Sequence, residues 1–86
     1  MATGAQPSAR DRGLRISRRQ VQILELAARD FSDKQIAVEL GLSLSTVRTQ
    51  WQRFYRSNGV HSRTGAVGLW LRRQMEADEL GDRRLQ

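Results

Sequence analysis

Apolar residues recur along this chain at helical spacing. Val21, Leu24 and Ala28 form one stripe, broadened by Ile23 and Ala27, and Ile36, Ala37 and Leu40 form a second. Val47, Trp51 and Phe54 stand at i, i+4 and i+7, and Val67, Trp70, Leu71 and Met75 make a fourth set. Spacings of three and four put such residues on one face of a helix. No segment alternates apolar and polar residues as a half-buried strand would. The pattern predicts an all-α domain of four helices.

A local motif marks where the helices begin. An apolar residue is followed by Ser, two further residues, Gln or Thr, and a second apolar residue. It occurs as Ile16-Ser17-Arg18-Arg19-Gln20-Val21, as Phe31-Ser32-Asp33-Lys34-Gln35-Ile36 and as Leu42-Ser43-Leu44-Ser45-Thr46-Val47. The serine hydroxyl caps an otherwise unpaired N–H of the first turn. A Gln three residues on reaches back to close a capping box, and the apolar pair packs as a staple. Thr46 makes the third box weaker, and Ser62 offers a fourth capping serine alone. Gly41 and Gly59 suit the left-handed residue past a helix end, and Asp30 takes the same role less comfortably. The predicted helices run from Arg18 to Arg29, Asp33 to Leu40, Leu44 to Asn58 and Arg63 to Leu80.

The flanks read differently. Residues 1–15, with Gly4, Pro7, Ser8 and Gly13 among charges, are expected to form a disordered basic arm. Residues 81–86 are expected to be a frayed tail, leaving 16–80 as the folded domain. At 86 residues there is room for one domain with a small core, and the absence of cysteine rules out disulfide or thiolate support. No apolar run is long enough to cross a membrane, and the polar start lacks a signal-peptide core, so the expected location is the cytoplasm.

Charge narrows the partner. Fifteen Lys+Arg oppose nine Asp+Glu for a net charge of +6, and every one of those cations except Lys34 is arginine. A GC-rich genome also enriches arginine, but the net charge favours an anionic partner either way. Catalysis finds little support: His61 is the only histidine, and the glycines form no phosphate loop. Glu76, Asp78 and Glu79 read as a solvated helix face, not a metal site. No metal or cofactor is expected.

The second and third helices are joined by Gly41-Leu42-Ser43, a connection of helix-turn-helix length. Ala37 is small where the two helices approach, and Val47 fills the space between them. If Val47, Trp51 and Phe54 face the core, the outer side of helix three presents Ser45, Arg48, Thr49, Gln52, Arg53 and Arg56 without a carboxylate. Hydroxyl, amide and guanidinium groups suit phosphates and base edges. The early part of a recognition helix reaches deepest, which nominates Arg48, Thr49 and Gln52 for bases. Lys34, Arg53 and Arg56 are the candidates for phosphates, joined by Ser43, Ser45 and Thr46 at the helix N-terminus.

Residues 16–76 resemble the LuxR-type (GerE-type) helix-turn-helix domain. The resemblance runs through Ile16-Ser17-Arg18-Arg19, Ile23-Leu24-Glu25-Leu26-Ala27-Ala28, Phe31-Ser32-Asp33-Lys34-Gln35-Ile36-Ala37 and Leu40-Gly41-Leu42-Ser43. It continues through Ser45-Thr46-Val47-Arg48-Thr49, Gly59-Val60 and Ser62-Arg63-Thr64. It implies a four-helix domain that binds paired half-sites on double-stranded DNA as a dimer, with helix four commonly forming the dimer contact. Arg48, Thr49 and Gln52 match the family's base-contacting positions. The family usually has Glu at Gln20, Gln35 and Gly65, and often His at Gln50, Lys-Leu at Ser57-Asn58 and Gly at Asp30. Asn58 would continue the apolar stripe of helix three and needs hydrogen-bond partners if buried. Leu69 and Trp70 are the candidate dimer contacts, Leu69 lying off the stripe and Trp70 in a place where the family often has a smaller residue.

The function expected is that of a single-domain transcriptional regulator reading the major groove. The competing class is a protein-interaction module of the same shape, contacting RNA polymerase or another regulator with weak or no DNA binding.

Overall fold

A computed structural model describes residues 14–85, with side chains described through Asp78. Most of the expected 1–15 arm lies outside the described residues. Four helices follow in order: α1 (Arg18–Ala28), α2 (Asp33–Leu40), α3 (Leu44–Asn58) and α4 (Arg63–Leu85).

All four serines cap as the motif predicts. Ser17 and Ser32 accept from the N–H of Gln20 and Gln35, whose side chains return to the capping N–H groups at 3.0 and 2.8 Å. Ser43 accepts from the Thr46 N–H, and Ser62 from the Gly65 N–H, both at 3.0 Å. The ends agree as well. Gly41 and Gly59 both sit at φ +68°, and Asp30 at φ 72°. At Asp30 the chain makes both closing bonds, Asp30 N–H to Ala27 O and Phe31 N–H to Leu26 O. Helix α1 therefore stops at Ala28, one residue earlier than expected.

Two boundaries differ more. Leu14 packs on the core instead of belonging to the arm. Helix α4 continues to Leu85, through the residues expected to fray. Gly81 lowers helix propensity by about 1 kcal/mol, but good helix formers on both sides let the helix continue past it.

The core gathers one stripe from each helix: Ile23, Leu24 and Ala27 from α1, Ile36 and Ala37 from α2, Val47, Trp51 and Phe54 from α3, Ala66 and Trp70 from α4. Leu26 also belongs to it. Helix α1 packs against each of the other three. Ala37 is buried and Val47 is fully so, which fits their expected place between α2 and α3.

Helix α4 is rotated relative to the expected stripe. Trp70 is buried and Leu69 is packed against the core, whereas Leu71 and Met75 are 41% and 68% exposed. Ala66, completely buried, sets this phase. Gly68 lies in the interior of α4, with open space where a Cβ would stand. Gly68→Ala should therefore raise stability by about 0.5–1 kcal/mol, read as a higher urea midpoint at constant slope.

Candidate nucleic-acid interface

Helix α3 divides cleanly into two sides. Val47, Trp51 and Phe54 are buried, while Ser45, Arg48, Thr49, Gln52, Arg53 and Arg56 are all exposed. Its sequence holds no carboxylate. Among the described residues the ion pairs are Arg63–Asp33 and Arg73–Glu76, so Arg48, Arg53 and Arg56 present guanidinium donors with no ionic partner there.

The helix start is less open than its sequence suggests. The Ser43 hydroxyl accepts from Thr46 N–H, donates to Thr46 Oγ1 at 2.9 Å and lies 3.2 Å from Ser45 Oγ. Ser43 is therefore committed to the cap, and Thr46 is half-buried. Ser45 and, on α2, Lys34 remain exposed.

A polar clasp fixes this helix in orientation. Trp51 Nε1–H donates to Asp33 Oδ1 at 2.8 Å, and Arg63 Nε donates to the same oxygen at 3.3 Å. Arg63 also donates to the Phe31 carbonyl, and its guanidinium lies 5.2 Å from the centre of the Trp51 ring. One carboxylate at the first position of α2 so joins the middle of α3 to the start of α4. The Tyr55 ring packs 6.0 Å from Trp51. Burial, with the nearby Asp33 carboxylate, raises the Tyr55 pKa, and Arg63 opposes this. Tyr55 thus stays a neutral phenol at physiological pH. The clasp was not legible in the sequence; the one available signal was a stripe tryptophan whose N–H would need a partner.

Four of the departures from the family pattern, Gln20, Gln35, Gln50 and Asn58, find local explanations. Gln20 and Gln35 close capping boxes, which an amide oxygen does as a carboxylate would. Gln20 also donates to Gln50 Oε1 at 3.3 Å, so two departures meet across α1 and α3. Asn58 is half-buried and fully engaged. Its amide donates to Arg15 O and Phe54 O, and its oxygen accepts from Arg15 N–H at 2.7 Å. The chain entering α1 is thereby tied to the end of α3, and Arg15, like Leu14, is part of the folded body.

The expected base readers Arg48, Thr49 and Gln52 thus share one exposed face with Arg53 and Arg56. Leu69 and Trp70, by contrast, point into the core, because α4 is phased by Ala66. A helix-turn-helix with a buried inner stripe and a carboxylate-free cationic outer face defines a DNA-binding domain of the four-helix class. The family follows from the sequence profile of the bacterial regulatory proteins of the luxR family, which matches residues 15–70. The chain belongs to this family, whose members are DNA-binding transcription regulators, not enzymes. No curated protein and no solved structure matches the chain. The matched segment begins at Arg15 and ends at Trp70, so it spans the Asn58 tether, the clasp and the core contribution of α4. Among the described residues no acidic or histidine cluster suits a metal ion, and no helix is long and apolar enough to cross a membrane.

Proposed function

We propose that the protein is a sequence-specific transcriptional regulator that inserts α3 into the major groove of double-stranded DNA. The observation that supports this most is the outer face of α3: exposed guanidinium, amide and hydroxyl groups with no carboxylate, on a helix held rigidly from behind. Arg48 is suited to fork onto a guanine, Gln52 to pair with an adenine, and the Thr49 methyl to meet a thymine methyl. Arg53, Arg56, Lys34 and Ser45 hold phosphates, with Ser43 and Thr46 shaping the helix start that presents Ser45. Helix α2 crosses the backbone.

The protein acts as a homodimer on two half-sites, with α4 at the contact. The exposed Leu71 and Met75 suit that contact better than Leu69 and Trp70, which serve the core. A DNA partner places the protein in the cytoplasm. Departures from the family pattern, at Gln20, Gln35, Gln50 and Asn58 among others, would support the protein-module reading if they fell on the reading face. These four lie in caps and interhelical contacts, so they leave the reading face intact.

The test separates readers from holders. Arg48→Ala should relax base preference at one position and cost about 1–3 kcal/mol of binding. Arg53→Ala and Arg56→Ala should weaken binding evenly across sequences and flatten its salt dependence. Both are read by titrating labelled duplexes with single base changes at several salt concentrations. Unchanged preference in Arg48→Ala would remove it from the readers.

A further inference from the structure

The first turn of α1 bears charge of the wrong sign for a helix start. A helix N-terminus has partial positive charge, which acidic side chains offset and basic ones oppose. This turn has no acidic residue, and the exposed Arg18 and Arg19 fill its first two positions. Arg15, also exposed, is fixed just before it by the Asn58 bonds. None of the three pairs with a carboxylate among the described residues. Arg19 donates instead to the neutral amide of Gln22, at 2.9 Å.

This turn borders a groove of about 420 Å³ along one flank of α3. Ser17 and Gln20 line one side, and Gln50, Arg53, Arg56 and Ser57 the other. The lining has no carboxylate and includes Arg53 and Arg56, and its Ser17 wall runs directly into Arg18 and Arg19 along the chain. Such an arrangement is unfavourable in the free protein and becomes favourable when an anion enters.

The geometry points to a second DNA contact: this groove, together with the exposed Arg15, Arg18 and Arg19 around the start of α1, holds the phosphate backbone of one strand flanking α3. The assignment rests on the major-groove reading above. A helix with its side chains is about 10–12 Å across, and the B-DNA major groove is about 12 Å wide. A helix inside it therefore has a sugar–phosphate strand along each flank. On the Arg53 side, that strand meets the groove and then the start of α1. The interface thus extends beyond the helix-turn-helix pair, and α1 positions the domain without reading bases.

Two variants of the full chain test this, with wild-type protein and Arg48→Ala alongside. The ligand is a duplex enriched by the wild-type protein from a random pool. Neutralising Arg15→Gln, Arg18→Gln and Arg19→Gln together should lower the slope of log affinity against log salt by about 2–3, at about 0.9 per phosphate contact, with base preference unchanged. Reversing Arg18→Glu and Arg19→Glu should raise the melting temperature of the free domain and weaken duplex binding by about tenfold or more. An unchanged salt slope in the neutral variant, while Arg48→Ala still alters base preference, overturns the α1 contact and leaves the major-groove reading standing. An acidic variant that binds the duplex as tightly as the wild type also overturns it. If wild-type protein binds no duplex at low salt, both the reading and this contact fail.

Discussion

Phe54→Ala should lose about 3–5 kcal/mol of folding stability. Phe54 is 1% exposed, among the largest fully buried side chains, and sits on the inner stripe of α3 beside Ile23 and Leu24 of α1. Truncation removes its burial energy and leaves a cavity that the surrounding helices close only in part. A domain this small has about 5–10 kcal/mol in total, so the variant would be substantially unfolded on mild heating. DNA binding would fall with it, although Phe54 faces away from the DNA. Urea denaturation followed by circular dichroism measures the loss. A change under 1 kcal/mol would mean that α3 is not seated on this core.

Asp33→Ala should cost about 2–3 kcal/mol and weaken DNA binding beyond what the folded fraction explains. Trp51 is 4% exposed, and its N–H loses its one acceptor; an unsatisfied buried donor costs about 1–3 kcal/mol. A carboxylate at the first position of α2 also adds about 0.3–1 kcal/mol through the helix dipole. The pair with Arg63 adds little more, because its side chains are 36% and 27% exposed. Asp33→Asn keeps an acceptor for Trp51, so it should recover most of the loss. Tryptophan fluorescence against urea, for both variants, separates the hydrogen bond from the charge. Equal losses in the two would assign the effect to charge alone.

What was legible in the sequence follows from the range of the interactions. Caps are local: Ser17 and Gln20, or Ser32 and Gln35, are three residues apart, so one short motif marked three helix starts and a lone capping serine, Ser62, the fourth. The outer face of α3 was legible because a single stripe of Val47, Trp51 and Phe54 orients the whole helix. Helix α4 was not. Val67, Trp70, Leu71 and Met75 share one face by spacing, but the buried face is turned toward Ala66, which is completely buried and gives little hydrophobic signal of its own. The Asn58–Arg15 tether joins residues 43 apart, and the Asp33 clasp reaches 18 and 30 residues along the chain. No periodicity encodes such pairings. The need for a partner was visible at Asn58, but the partner was not.

The central claim is that α3 reads DNA sequence. Selection from a random duplex pool, sequenced over several rounds at moderate salt, tests it most directly. An α3 that reads DNA as a dimer should enrich a motif with two-fold symmetry, its half-sites about one helical turn or a multiple apart. Arg48→Ala should lose preference at one base of each half. A pool that stays random, or an enriched motif that is indifferent to Arg48, Thr49 and Gln52, would contradict it.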